Sequence, residues 1–333
     1  VKIDLHTHIL PPAWPDLAER YGCGGWPQLA MTEPGCGRMT LDGKFFRDIE
    51  SNCWDPARRL EECDRDGITM QVLSTVPVMF CYGAKGEHVA DLAKLLNDHI
   101  AETVRAHPQR FSGLGTLPLQ DPGCSVRELE RCVKELGLSG VEIGSHVNDW
   151  NLDAPELFAV FEAAQALNAM VFVHPWDMMA RDKMPKYFLP WLVGMPAETS
   201  LAICSLIFGG VLERLPRLKV CFAHGGGAFP MTVGRIDHAW HCRPDLCAVN
   251  ISKSPREYLS RIYVDSLVHD AAALHYLIDL LGADHIGLGS DYPFPLGEQR
   301  PGALIESMAL DPAVRESILS GTARHLLFTG ALV

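Results

Sequence analysis

The 333-residue sequence contains no Cys-x-x-Cys pair. Its eleven cysteines are odd in number and scattered, so a zinc finger or ribbon is excluded and a disulfide-stapled secreted scaffold is a poor fit. A reduced, cytosolic compartment is expected, and any metal has to be held by histidine and carboxylate. Basic charge is scarce: 29 Lys and Arg stand against 41 Asp and Glu, a net charge of −12. Neither a nucleic acid nor an anionic membrane surface is attracted to such an acidic body. An anionic small molecule would therefore depend on locally placed arginines. Long hydrophobic runs are also missing. The longest, Leu201 to Leu212, is too short for a bilayer, and no basic segment followed by an apolar run opens the chain, so a soluble protein is expected. Finally, no strand-to-helix turn carries G-x-G-x-x-G. The run "HGGGAFP" is followed by neither a phosphate-binding lysine nor a ribose-binding acid at the usual distance, which argues against a doubly wound dinucleotide fold.

What the sequence does hold is core. It is 47% hydrophobic and 21% charged, an ordinary globular composition. Short apolar runs at Lys2–Leu5, Thr69–Ser74, Phe111–Thr116, Gly140–Gly144, Met170–Val173, Lys219–Ala223, Ile262–Asp265 and His285–Gly289 read as eight strands. Helical patterns separate them. Asp55-Pro56 supplies a cap and a first-turn proline for "DPARRLEECDRDG", "EHVADLAKLLNDHIAETVRAH" closes at Pro108, "SVRELERCVKELG" stops at Gly137, and "PELFAVFEAAQALN" starts on a proline. Eight strands alternating with helices predict a closed α/β barrel of (β/α)8 type, one domain over residues 1–333. The Gly- and Pro-rich stretch Leu10–Cys53 reads as a long irregular insertion after strand one, a lid or pocket wall over the catalytic face.

Chemistry gathers at the strand ends. In "KIDLHTHILPP", His6 and His8 close strand one, and their i, i+2 spacing puts both imidazoles on one side. His174 follows strand five in "MVFVHPW", His224 follows strand six in "KVCFAHGGG", and Asp291 follows strand eight in "HIGLGSDYPFP". A single histidine after an apolar strand is more often structural than a ligand. Four histidines and an aspartate on one barrel face form a joint signal.

This arrangement resembles the amidohydrolase superfamily. Beyond the strand ends, "NCWDPARR", "GLGTLPLQ", "VHPWDM", "LPWLVGMPAET", "VCFAHGGGAFP", "VGRIDH" and "SDYPFPLGE" are similar to its decarboxylating branch, in particular to animal members, over nearly the whole chain. The resemblance implies that His6, His8, His174 and Asp291 hold one Zn²⁺ per subunit. Nickel, cobalt or iron suit the same donors. Two-metal members carry a modified lysine on strand four, where "GVEIGSH" offers Glu142 instead, which favours a single metal. His224 then becomes the general acid or base at the metal, with a fifth ligand as the other reading. The resemblance also implies that Arg47 and Arg235 bind substrate carboxylates, Arg235 in the neighbouring subunit of a homodimer, and that Trp191, Phe294 and Met178 line the pocket. By sequence alone, both arginines could be ordinary surface residues.

The implied reaction is non-oxidative loss of CO₂ from a conjugated semialdehyde bearing two carboxylates, an intermediate of tryptophan breakdown. Loss of CO₂ from a vinylic carbon needs an electron sink first, and hydration and protonation routes both provide one. Decarboxylation of an aromatic acid and hydrolysis of an amide or lactone are the rival activities, and a catalytically silent metal-binding barrel is the non-enzymatic one.

Overall fold

The ladder closes on itself. In the computed structural model, which describes residues 1–327, the barrel strands are β1 (Ile3–Ile9), β2 (Met70–Thr75), β3 (Phe111–Thr116), β4 (Gly140–Gly144), β5 (Met170–His174), β6 (Lys219–Phe222), β7 (Ile262–Asp265) and β8 (Ile286–Gly287). They pair in parallel in chain order. The Leu5 N–H donates to Leu288 O at 2.8 Å, the Asp291 N–H to His6 O at 2.9 Å and the His8 N–H to Tyr292 O at 2.7 Å, joining the last strand to the first. The final six positions of the expected 1–333 domain lie outside the described residues.

A helix follows each strand: α1 (Pro56–Asp66), α2 (Gly86–Ala106), α3 (Pro122–Lys134), α4 (Phe158–Ala166), α5 (Met195–Phe208), α6 (Phe229–Cys242), α7 (Ala271–Leu281) and α8 (Thr322–Leu327). The Asp55 side chain caps α1 through the Ala57 N–H, and Gly67, at φ 71°, ends it in the left-handed conformation. α3 starts three residues before the expected Ser125, because Asp121-Pro122 supplies both a cap, accepting from the Cys124 N–H, and a preset first turn. β8 is shorter than expected, since the Leu288 N–H turns away to Ile318 O.

Alternation sets which side chains face the barrel interior. Along β5, Met170 and Phe172 join Ile3, Leu5, Val72, Leu114 and Cys221 in one buried cluster, while Val171 and Val173 pack with Ala202, Ile203, Leu206 and Ile207 of α5. His174 continues the Phe172 register, and the Phe172 ring lies 5.0 Å from that of His6 as the floor of the site. The helical run Pro190–Phe208, with mean hydropathy 1.5 over its most apolar window, has the length and composition of a membrane span. In the sequence, Glu198, Thr199 and Ser200 interrupt its apolar run. Its inner face is buried in the barrel layer, as in a core helix.

The insertion is not irregular. Pro27–Glu33, Cys36–Leu41 and Lys44–Glu50 form a three-stranded antiparallel sheet, preceded by a short helix at Leu17–Tyr21. Asp42 and Gly43 both have positive φ (50° and 72°), as a two-residue hairpin turn of matching twist requires. Trp26, Met39 and Ile49 bury this sheet against Met79, Val89 and Leu92.

Candidate metal centre and active site

The ligand atoms of His6, His8, His174 and Asp291 all lie within 4.8 Å of one another. The second nitrogen of each imidazole is occupied. His6 Nδ1 lies 2.7 Å from Asp265 Oδ2, His8 Nδ1 lies 2.8 Å from Thr75 O, and His174 Nδ1 lies 2.8 Å from Pro175 O. Facing acceptors, each Nδ1 carries the proton, so each Nε2 presents a lone pair. The Nε2 atoms of His6 and His8 are 3.2 Å apart, a repulsive pairing of lone pairs unless a cation lies between them. His174 Nε2 is buried without a hydrogen-bond partner among the described residues. Asp291 Oδ1 adds negative charge 3.1 Å from His8 Nε2 and 3.6 Å from His6 Nε2. Three imidazole nitrogens and one carboxylate oxygen converging this way fit a divalent transition metal.

Electrostatics follow from burial. Desolvation holds the His174 imidazole well below its ordinary pKa, with His224, His6 and His8 adding to the effect, and it lowers that of His8. Burial pushes the Asp291 carboxyl up, but neighbouring His224, His8 and His6 outweigh it and keep it ionised. For His224, burial is outweighed by Asp291 and Asp265, which raise its pKa. His224 Nε2 stands 3.9 Å from Asp291 Oδ2, too far to be a hydrogen bond but within the same space. Glu142 is fully buried, neither oxygen has a hydrogen-bond partner among the described residues, and burial raises its pKa well above the carboxylate range. Its Oε1 lies 3.6 Å from His8 Nδ1 on the occupied side of that ring, behind the four-ligand cluster.

Among the expected carboxylate and pocket residues, Arg47 and Phe294 reach the centre. The Phe294 ring centroid is 5.5 Å from that of His8, and the Arg47 guanidinium stacks 4.1 Å over Phe294. Burial lowers the Arg47 pKa and the charge of Asp291 partly restores it, so a cation with no ion-pair partner among the described residues faces the site. Met178 is buried beside Gly194 in the segment after β5. Trp191 is half-buried and stacks on Phe188, with ring centroids 4.5 Å apart. Arg235 is exposed on α6, and among the described residues no hydrogen bond or ion pair links it to the four-ligand cluster.

Two buried residues that hold the centre together are not singled out by the sequence. Arg59 is fully buried, donates to His8 O at 2.6 Å, Asn52 O at 3.1 Å and Thr7 Oγ1 at 3.2 Å, and stacks 4.7 Å over Tyr292. It ties the ligand-bearing part of β1 to the end of the insertion and to the loop carrying Asp291. The "NCWDPARR" motif was the visible signal. Asp265, which anchors His6, ends an unremarkable apolar strand and gave none.

The family model described as amidohydrolase matches residues 3–329. The chain belongs to the amidohydrolase family. Within it, the chain is 58% identical to 2-amino-3-carboxymuconate-6-semialdehyde decarboxylase of Dictyostelium discoideum, over 98% of this chain and 91% of that one. Identity to the Caenorhabditis elegans protein of the same name is 39%, over 92% and 88%. The crystal structure of 5-carboxyvanillate decarboxylase LigW from Sphingomonas paucimobilis superposes with a TM-score of 0.77 at 30% identity, covering 83% of this chain and 84% of that one. The chain is thus a decarboxylase of the amidohydrolase family.

Proposed function

We propose that this protein is a carboxy-lyase that converts 2-amino-3-carboxymuconate 6-semialdehyde to 2-aminomuconate 6-semialdehyde and CO₂, at the branch of tryptophan catabolism that diverts carbon from quinolinate and NAD. The observation that carries this reading is the convergence of three buried imidazole lone pairs and Asp291 beside Arg47, which has no ion-pair partner among the described residues. One zinc per subunit, held by His6, His8, His174 and Asp291, supplies Lewis acidity when bound. Arg47 binds a substrate carboxylate through its planar fork, and the Phe294 face fixes the plane of the guanidinium. His224 holds and moves a proton at Nε2. The balance is simple: the C–C bond to the departing carboxylate breaks, CO₂ leaves, and a proton replaces it on carbon.

The homodimer belongs to the same reading. Arg235 lies on α6 one helical turn from the exposed Met231, and exposed Leu192 and Val193 lie at the start of the run into α5, which packs on α6. An arginine flanked by uncovered apolar side chains suits the edge of a second copy's site. Decarboxylation of an aromatic acid is the second reading, favoured by the likeness to 5-carboxyvanillate decarboxylase.

The deciding assay supplies zinc-loaded protein with the enzymatically generated muconate semialdehyde and follows its absorbance together with CO₂. Matched decay and CO₂ release are expected. CO₂ release from 5-carboxyvanillate or a dihydroxybenzoate, with none from the semialdehyde, would establish the second reading instead.

A further inference from the structure

Asp265 ends β7 fully buried, and both oxygens of its carboxylate are engaged. Oδ2 accepts from His6 Nδ1 at 2.7 Å and from the His224 backbone N–H at 2.9 Å. Oδ1 accepts from the backbone N–H groups of Gly225 at 2.8 Å and Leu267 at 3.1 Å. A single oxygen thus holds a metal ligand by its ring and the candidate acid–base residue by its backbone. Only a carboxylate accepts all four of these bonds. Asparagine would turn an amide nitrogen, itself a donor, toward two N–H groups.

The turn that Asp265 grips depends on such an anchor. His224, Gly225, Gly226 and Gly227 have φ of 57°, 61°, 77° and 62°, four consecutive residues in the left-handed region. For histidine this conformation is uncommon and strained, and it persists where the surroundings impose it. The glycines are forced by space as well. A Cβ on Gly225 would stand 2.4 Å from Val268 Cγ1, and one on Gly227 would stand 2.5 Å from Pro196 O. The first two N–H groups of the turn both end on Asp265.

We infer that Asp265 is a positioning residue that couples the metal centre to the turn carrying His224, so that metal binding and placement of the acid–base group are one event. The inference rests on the reading of His6 as a ligand and His224 as the proton carrier. A cation drawing on His6 Nε2 makes its Nδ1–H a stronger donor to Oδ2, as carboxylate–histidine–metal chains do. The carboxylate is then held in one orientation. Its remaining bonds to the His224 and Gly225 amides are fixed with it.

Amide hydrogen exchange on the full chain, stripped with chelator and then titrated with zinc, reads this coupling without an activity assay. In the wild type, zinc is expected to slow exchange at the His224 and Gly225 amides by roughly tenfold or more, the scale of outer-shell effects on metal sites. Asp265→Asn should bind zinc about 10–100-fold more weakly, and at saturating zinc these two amides should stay unprotected. His224→Ala should keep the protection, because the backbone N–H makes the bond. If calorimetry detects no zinc binding to the wild type, the ligand reading itself is wrong. If zinc binds the wild type and the two amides exchange as before, the coupling is overturned, and that outcome does not require any variant to fold. Full protection in Asp265→Asn with wild-type affinity would overturn it as well.

Discussion

In the proposed site, His174 is the ligand whose free nitrogen has no other use: Nδ1 is spent on Pro175 O, and Nε2 is buried without a partner among the described residues. Removing it should strip the metal and the activity together, since three remaining ligands provide neither the affinity nor the geometry of four. Metal analysis of His174→Ala checks this, and stoichiometric zinc with full turnover would remove His174 from the ligand set. His224 is different. Its Nε2 is 3.9 Å from Asp291 Oδ2, and its imidazole is not one of the four groups that converge within 4.8 Å. His224→Ala is therefore expected to retain zinc while turnover falls by roughly 10²–10⁴, the worth of a positioned acid or base. Parallel loss of zinc and rate would restore the fifth-ligand reading. The sequence revealed both histidines because each follows an apolar strand. Asp265 and Arg59, by contrast, act through contacts between separate elements of the chain: the His6 ring and the amides of His224 and Gly225 for Asp265, and the carbonyls of His8 and Asn52 together with Thr7 Oγ1 for Arg59.

Among the elements, the barrel strands were legible and the insertion was not, for a physical reason. Barrel strands are continuous apolar runs because both faces are covered. The insertion strands Pro27–Glu33, Cys36–Leu41 and Lys44–Glu50 are mostly exposed or half-buried and are separated by the turns at Pro34-Gly35 and Asp42-Gly43, so their alternation is faint. The Asp42-Gly43 turn was the available clue. That turn matters because Arg47 sits on the strand it launches, paired with Met39 on the neighbouring strand. Gly43→Val places a β-branched residue at φ 72° and should loosen the hairpin. The expected result is a raised KM with unchanged zinc content, because the hairpin positions the guanidinium and none of the four ligands. Zinc loss in Gly43→Val would mean that the insertion sheet supports the metal centre as well.

At the scale of the whole molecule, a single chain supplies one arginine to its own centre and leaves the other on the outside. Arg47 stacks on Phe294 beside the ligands, whereas Arg235 is exposed on α6 near uncovered Met231, Leu192 and Val193. The fold could be read from one sequence because the barrel strands and helices find their neighbours within the chain; the use of Arg235 could not, because no partner for it lies among the described residues. If Arg235 completes a neighbour's site, each substitution, Arg47→Ala or Arg235→Ala, should nearly abolish activity, removing a charge-assisted bond of about 1.5–3 kcal/mol and leaving a substrate carboxylate unpaired. Mixing the two inactive proteins separates the alternatives. In a heterodimer one pocket receives both defects and the other receives neither, so activity should reappear on subunit exchange, approaching about half the wild-type value per heterodimer if the pockets act independently. Differently tagged chains, confirmed as heterodimers by native mass spectrometry, make the measurement quantitative. Heterodimers that form and stay inactive would place both arginines in the service of one subunit, or leave Arg235 with a purely structural role.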